Sequence, residues 1–297
     1  MARPVDPAVA RLAGIVAGRF DGAGAVLFYG SCLRAASLDG LMLDFYLVVD
    51  DYARAYGPTR RGRFLAAANR LLPPNVFQVE VAGLRAKYAV LSAADLARLA
   101  GRATRNPSVW ARFAQPSRLV WWRDERARVA TVAAVAGAPV ALLAAAAPLA
   151  AEATTVRDLW LGAFAATYRT ELRSERAGRG VALFDAEPGW YRAVTGPALA
   201  AAGIAATVDG DAIRFAAPLA GAPAESVWRR RRIEGKALSV ARLLKASATF
   251  DGGLDYLAWK ITRHSGVAVD VRPWQRRWPL LGAIVLLPRL FFRGAVR

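Results

Sequence analysis

The chain has 297 residues, of which 55% are hydrophobic, and its formal net charge at pH 7 is +18. This length and this apolar content allow a sizeable core and about two domains, and they exclude a disordered chain. One cysteine excludes an internal disulfide bond, and one histidine excludes metal sites that need several histidines.

The positive charge is concentrated towards the carboxyl terminus. Residues 229–297 contain fifteen Lys or Arg and four Asp or Glu, a net charge of +11, which leaves +7 for the first 228 residues. A basic segment of this kind favours an anionic partner, either a membrane surface or a nucleic acid. Only four of the basic residues are lysines, and with the abundant alanine this is typical of a GC-rich bacterial genome.

Residues 1–122 alternate between helical and strand patterns and predict an α+β domain with helices packed on a sheet. Helices are predicted near 8–19, 59–72 and 93–100, and strands at 25–29, 41–49, 75–81 and 85–91. The first twenty residues lack the uninterrupted apolar stretch of a secretion signal, so a cytoplasmic protein is expected.

Residues 123–250 predict a mainly helical second domain. Within it, 181–184 has a strand-like pattern and 208–215 predicts a small hairpin, followed by a link at 216–224 and a helix at 225–247. A helical body with a two-stranded wing is compatible with a winged-helix-like domain. The four arginines at 229–232 predict a solvated helix face, or a surface for an anionic lipid or nucleic acid.

An uncharged segment at 129–151 is long enough to cross a bilayer. Gly137, Pro139 and Pro148 are predicted to break it, so the segment is expected to form buried helices of the body instead.

Residues 251–297 predict a basic, amphipathic tail. The apolar run at 278–287, which begins with Trp278, is too short to span a bilayer, but it is preceded by Arg272, Trp274, Arg276 and Arg277. Basic residues, interfacial tryptophans and a short apolar wedge together favour a peripheral anchor on an anionic membrane surface. A terminal helix packed on the core is the alternative. We therefore expect a location on the inner face of a bacterial cell membrane.

One group of residues has a specific chemical interpretation. Tyr29-Gly30-Ser31 ends a predicted strand, and Asp44 lies in the next one. Glycine allows close approach of the backbone, a serine hydroxyl and nearby N–H groups can hold phosphate oxygens, and a carboxylate can hold a metal ion. This arrangement indicates a nucleotidyltransferase site.

Two further candidates follow from strand periodicity. In the strand at 75–81, Glu80 alternates with the apolar Val79 and Val81, so we predict it as the second metal-binding carboxylate. Lys87 on the following strand is predicted to reach the same cleft and to neutralise a triphosphate. Solvated strand positions remain the alternative for both residues.

The same segments resemble the mitochondrial translocator-assembly-and-maintenance type of CDP-diacylglycerol synthase. The resemblance begins with Tyr29-Gly30-Ser31, Asp44 and the Val-Asp-Asp at 49–51, and it covers roughly residues 25–250 in order. Downstream blocks lie at 85–92, 99–107, 161–169 and 242–250. The sequence departs from the family at Cys32, Ala89 and 165–167. Tyr46 stands where the wider superfamily often has a second aspartate.

The resemblance implies a polymerase-β-like nucleotidyltransferase domain followed by a winged-helix-like domain. It further implies a Mg²⁺-dependent cytidylyltransferase that converts phosphatidic acid and CTP to CDP-diacylglycerol and pyrophosphate. Arg102 and Arg169 match family positions and are expected to contact phosphate groups. The expected partners are phosphatidic acid, CTP and an anionic membrane, with no nucleic acid, and homo-oligomerisation is left open.

Three alternatives stay open at this point. A nucleotidyltransferase acting on another lipid or polyisoprenoid phosphate would have the same motifs. A non-catalytic membrane adaptor would explain the missing second aspartate. A nucleic-acid-binding protein would explain the basic composition, although the apolar tail argues against it.

Overall fold

A computed structural model describes residues 4–35, 37–38, 40–171, 178–219, 221–249 and 271–274. Its first part contains a five-stranded mixed sheet in the order β3-β4-β2-β1-β5. The β2–β4 pair is parallel and the other pairs are antiparallel. The strands are β1 Ala23–Tyr29, β2 Met42–Val49, β3 Asn75–Val81, β4 Leu84–Ser92 and β5 Arg118–Trp122.

The alternation of side chains along β2 divides the sheet into two buried faces. Phe45 and Leu47 belong to the core under α1 Pro7–Ala17, α2 Tyr52–Tyr56 and α3 Arg60–Leu71. Tyr46 and Val48 belong to a second core under α4 Ala93–Ala100, α5 Trp110–Phe113 and α6 Glu125–Ala146. Because β2 is covered on both sides, its sequence is almost continuously apolar.

The predicted helices and strands of residues 1–122 are confirmed, and three short elements are added. These are α2, α5 and the edge strand β5, which pairs with β1. The prediction of a mixed helix-and-sheet fold is thus correct in its coarse form. The winged-helix character of the second domain stays a prediction.

Helix α6 corrects the predicted break at Gly137 and Pro139, because it runs through both residues to Ala146. Pro139 is buried in its interior, where packing on α4, α5 and the later helix Pro188–Ala201 offsets the missing backbone hydrogen bond. Among the described residues, one helical stretch, Glu125–Leu149, has the length and composition to cross a membrane. Half of its most apolar window is buried inside the fold.

The second part contains α7 Val156–Tyr168, α8 Arg179–Ala186, α9 Pro188–Ala201 and a three-stranded sheet. The predicted hairpin is confirmed as β7 Ala206–Asp209 and β8 Ala212–Phe215, with β6 Ala153–Thr155 added beside β8. The strand predicted at 181–184 is wrong, because these residues lie in α8. The ring of Phe184 stacks on Tyr191 of α9 there, so its burial reflects helix packing.

The helix α10, Gly221–Thr249, connects the second part to the sheet. Trp228 donates a 2.8 Å hydrogen bond to the Ala145 carbonyl, and the Arg231 guanidinium lies 4.9 Å from the Trp228 ring centre. The prediction of a solvated arginine face is therefore wrong at Arg231. The anchor predicted in the tail at 251–297 lies outside the described residues except for 271–274.

The two parts share one continuous core. It runs from Leu27 and Leu91 on the sheet, through α6, to Trp160 and Tyr191 in the second part. The predicted boundaries at 122 and 250 stay a prediction.

Candidate functional site

The strand register places four polar side chains in one row across the sheet. Tyr29 on β1 pairs with Asp44 on β2, Asp44 with Lys87 on β4, and Lys87 with Gln78 on β3. Residues paired directly across neighbouring strands project from the same face. The row therefore lies on the face that also carries Tyr46 and faces α5, α6 and α10.

Asp44 and Lys87 form an ion pair at the centre of this row. The distance from Lys87 Nζ to Asp44 Oδ1 is 2.8 Å, and the side chains are 36% and 21% exposed for Lys87 and Asp44 respectively. Asp44 Oδ1 is shielded from solvent, and this contact is an ion pair without good hydrogen-bond directionality. A carboxylate withdrawn from water needs such a partner. Lys87 thus contacts the predicted metal-binding carboxylate, whereas its predicted contact with a triphosphate stays a prediction.

Gly30 packs directly against the other oxygen of Asp44. Its backbone has φ 93° and ψ −166°, a combination that is essentially restricted to glycine. A Cβ atom built on Gly30 would lie 3.1 Å from Asp44 Oδ2. Only glycine therefore leaves the space beside this carboxylate open. The exposed Ser31 follows and begins a four-residue 3₁₀ turn, Ser31–Arg34.

Asp44 is one carboxylate that could contribute to a magnesium site. Mg²⁺ is commonly held by one or two carboxylates together with substrate phosphates and water. Asp44 supplies one carboxylate next to the open side of Gly30. No cluster of three potential Asp, Glu, His or Cys ligands occurs in the part of the chain that the structure describes.

Glu80 projects from the same face as Asp44 but is not brought close to it. Glu80 pairs with Arg85, two residues along and two strands away from Asp44. Strand spacing and rise place the two Cα atoms about 12 Å apart. Glu80 is also exposed. The strand alternation was thus predicted correctly, and the shared metal site remains untested.

Two arginines approach the row from the helices above it. Arg112 on α5 donates from Nε to the Ser108 carbonyl at 3.0 Å, and its Nη1 lies 3.5 Å from the Tyr29 hydroxyl. Arg242 on α10 donates from Nη1 to Ser108 Oγ at 3.0 Å. Glu171 accepts a longer contact of 3.9 Å from Arg112. The row is therefore capped by positive charge.

Burial and charge act against each other in this cap. Burial lowers the pKa of Arg112, but Tyr46, Tyr29, Glu171 and Asp44 outweigh it and leave the pKa raised. Burial also lowers the pKa of Arg242, an effect to which Arg112 contributes. Burial raises the pKa of Tyr29. Arg112 and the neutral Tyr29 thus present hydrogen-bond donors at the Tyr29 end of the row, and Arg242 bonds to the same Ser108 as Arg112 does.

Arg102 and Arg169 are exposed and occupy other places. Arg102 donates a 3.2 Å hydrogen bond to the Ala202 carbonyl after α9, and Arg169 ends α7. The structure brings neither to the Asp44 row, so their predicted phosphate contacts stay predictions. Arg242 lay in a block that resembles the family. Arg112 had no sequence signal, because only the packing of α5 brings it to Tyr29.

A cavity of about 710 Å³ lies beside α1 and does not contain the row. Its lining includes Leu12, Phe28, Cys32 and Leu84. Phe28 alternates with Tyr29, so this cavity belongs to the opposite face of the sheet. The converging polar groups, and not this cavity, define the candidate site.

No protein-family model and no curated protein matches the chain. Among solved structures, the chain is similar to a nucleotidyltransferase-like protein from Exiguobacterium sibiricum. The match covers 97% of this chain and 90% of that chain at 12% sequence identity, with a TM-score of 0.27. This similarity does not define a function for the chain.

Proposed function

We propose that this chain is a nucleotidyltransferase that transfers CMP from CTP to phosphatidic acid, with Mg²⁺ as its cofactor. The observation that carries the proposal is the packing of Gly30 against Asp44, together with the Asp44–Lys87 ion pair. Gly30 has a backbone conformation that other residues rarely adopt, and it lies next to a partly buried carboxylate and a lysine. This arrangement suits a bound polyphosphate and its metal ion. The choice of cytosine and phosphatidate rests on the resemblance in sequence.

The reaction needs no general base from the protein. An oxygen of the phosphatidate phosphate is already anionic, so it can attack the α-phosphorus of CTP directly. A new P–O bond forms, the bond from the α-phosphorus to the bridging oxygen breaks, and pyrophosphate leaves with the electron pair. A chain with one histidine can support this chemistry.

Each residue of the site has a distinct role in this proposal. Gly30 and Ser31 approach the β- and γ-phosphates, and Lys87 offsets charge that develops on the leaving group. Asp44 would hold the Mg²⁺, which would supply positive charge to offset that of the phosphates. Glu80 is retained as a proposed second ligand, and Arg102 and Arg169 as proposed phosphate contacts.

The test is a screen of the four NTPs with phosphatidate and Mg²⁺ that follows pyrophosphate release. CTP should give turnover, and Asp44→Asn should abolish it while the far-UV CD spectrum and the Tm stay close to wild type. Asp44→Asn activity within tenfold of wild type would remove Asp44 from the mechanism. Glu80→Gln in the same assay tests whether Glu80 is a metal ligand. If it is, this substitution should reduce turnover about as much as Asp44→Asn does.

A non-catalytic adaptor on the same scaffold is the second candidate. It is favoured by Tyr46 at the position of a second aspartate and by the lack of a three-ligand cluster among the described residues. Such a protein would release no pyrophosphate from CTP, whichever lipid phosphate is added. A polyisoprenoid phosphate added to the same screen distinguishes a different acceptor from an inactive protein.

The proposed partners are an anionic membrane, phosphatidic acid and CTP, with homo-oligomerisation left as a proposal. Attachment to the inner face of the cell membrane through residues 272–293 would bring the site to its lipid.

A further inference from the structure

The guanidinium groups of Arg112 and Arg242 converge on one buried residue. Arg112 reaches the Ser108 carbonyl and Arg242 the Ser108 hydroxyl, each at 3.0 Å, and Ser108 is only 6% exposed. The two arginines come from helices that are far apart in sequence. Their convergence is therefore a product of the fold and not of a local sequence pattern.

One N–H donor of this pair has no hydrogen-bond acceptor among the described residues. Arg242 Nε is shielded from solvent, and nothing among the described residues accepts a hydrogen bond from it. A buried donor without an acceptor is unfavourable and calls for a partner. The described acidic side chain that contacts Arg112 is Glu171, at the long distance of 3.9 Å. Guanidinium groups bind phosphate oxygens through their planar sets of N–H donors.

The pair approaches the row from α5 and α10, whereas the residues proposed for the triphosphate lie on strand β4 and in the turn after β1. Arg112 touches the hydroxyl of Tyr29, which begins the row containing Asp44, and Arg242 stands beyond it on α10. The Gly30–Ser31 turn and Lys87 lie at the sheet itself. Two phosphate-bearing reactants that must meet at Asp44 need positive charge on both sides, because they repel each other.

We propose that Arg112 and Arg242 bind the phosphomonoester of the acceptor, while the Gly30 turn and Lys87 serve the triphosphate. The inference rests on the proposed function and deepens it, because it assigns the acceptor as a phosphate monoester dianion held by a site of its own. Such a dianion matches the charge of the two guanidinium groups and satisfies the Nε donor of Arg242.

The kinetic test uses the full chain with short-chain, water-soluble phosphatidate. Arg242→Gln should raise the KM for phosphatidate at least tenfold and leave the KM for CTP within twofold. Lys236→Gln, which removes the same charge from an exposed position of the same helix, should change neither value. An equal or larger rise in the KM for CTP would overturn the assignment. Arg112→Lys, which keeps the charge but loses the fork, should show the same split.

Inorganic phosphate separates the acceptor site from the nucleotide site. It should inhibit competitively against phosphatidate and non-competitively against CTP, because it carries the group that the arginine pair recognises. Competition against CTP alone would place free phosphate in the triphosphate site and would contradict the proposal.

Equilibrium binding keeps the inference testable if no NTP supports turnover. Dihexanoyl phosphatidate, followed by calorimetry without CTP or Mg²⁺, should bind to wild type and at least tenfold more weakly to Arg242→Gln. Dihexanoyl phosphatidylcholine, whose phosphate is a diester, should not bind. Equal binding to wild type and Arg242→Gln would sink the anion site. If phosphatidate binds in an arginine-dependent way but no pyrophosphate is released, the proposed transferase activity is wrong and the proposed phosphate site stands.

Discussion

At the scale of single residues, the site depends on Gly30, Asp44 and Lys87, which tolerate little change. Gly30 leaves room beside Asp44, and Lys87 balances the charge of Asp44. The sequence allowed all three to be predicted, because a Gly-Ser turn after a strand and an acid in an apolar strand are local patterns. Arg112 could not be predicted, because its place depends on how α5 packs over the sheet.

The first prediction concerns Gly30→Ala. Forcing alanine into this backbone conformation should lower the free energy of unfolding by about 1–3 kcal/mol. The new methyl group would also press on Asp44 Oδ2, so nucleotide binding should fall at least tenfold. Thermal unfolding and CTP binding measure the two effects. Gly83→Ala is the control, since Gly83 also has positive φ but no atom within 4 Å of the built Cβ. It should lose stability and keep binding.

The second prediction is a double-mutant cycle on the ion pair. Lys87→Met leaves the partly buried Asp44 without its cation, so it should destabilise the fold more than the double variant Lys87→Met/Asp44→Asn does. We expect a coupling free energy on the order of 1 kcal/mol, because the pair is only partly shielded from water. Urea unfolding of the four proteins measures it. Additive effects would show that the contact contributes nothing to stability.

At the scale of secondary-structure elements, α10 connects the two parts of the molecule. Trp228 bonds to α6, Arg242 reaches Ser108, and the Lys245 ammonium donates to the Leu72 and Pro74 carbonyls at 2.5 and 2.6 Å. Lys245 thus fixes the end of α10 to the segment that leads into β3. The position of Arg242 over the site depends on this attachment.

The elements with strong periodicity could be predicted from sequence, whereas the others depend on tertiary contacts. Strands β1 to β4 have continuous apolar or alternating patterns, and the Asp-Gly turn specifies the β7–β8 hairpin. Helix α8 was taken for a strand because a short apolar run fits either structure. Helix α6 continues through Pro139 because the helices packed around it hold it in place. The rule that proline breaks a helix considers only the local sequence and not these tertiary contacts.

The third prediction is that the attachment by Lys245 depends on pH. Burial, with a contribution from Arg242, lowers the pKa of Lys245 from 10.5 to about 7 in the folded protein. The unfolded chain therefore binds more protons between pH about 7 and 10.5, and the free energy of unfolding contributed by Lys245 rises with pH across that window. Below pH about 7 this contribution is lowest.

Comparison with Lys245→Met isolates this effect from all other titrating groups. The stability of wild type relative to Lys245→Met should rise steadily from pH 7 to pH 10 in urea unfolding. Lys236→Met on the exposed side of α10 should differ from wild type by a constant amount over the same range. Parallel curves for wild type and Lys245→Met would show that the ammonium is not withdrawn from water.

At the scale of the whole molecule, the distribution of charge distinguishes the body from the tail. Many arginines of the first 228 residues are paired with acids on the surface, as in the contacts of Arg123 with Asp50 and of Arg157 with Asp185. The excess of +11 lies in residues 229–297. One cation of that region, Arg231, is placed against tryptophan rings on α10. Residues 229–249 of α10 carry a net +6 and residues 250–297 a net +5, so a membrane contact by the tail has to be distinguished from one by α10.

The fourth prediction is that the full-length chain sediments with vesicles containing anionic phospholipid, and that the tail provides the contact. Each basic residue near an anionic surface contributes about 1 kcal/mol, so Arg276→Gln/Arg277→Gln should reduce the bound fraction strongly at low salt. Arg229→Gln/Lys236→Gln removes the same charge from exposed positions of α10 and should have little effect. Equal losses for the two double variants would indicate unspecific attraction of the whole cationic chain.

Salt separates the electrostatic part of this attachment from the apolar part. Raising the ionic strength screens the arginines but not an inserted aromatic and aliphatic wedge, so wild type should retain part of its binding at 0.5 M NaCl. Trp274, which is 43% exposed, and Trp278 belong to the proposed wedge. Trp274→Ala/Trp278→Ala should therefore bind at low salt and retain less binding than wild type at 0.5 M NaCl, because only the aliphatic part of the wedge remains. Complete release of wild type by salt would contradict insertion and leave a purely electrostatic contact, in which the tail brings the Asp44 site to the lipid without entering the bilayer.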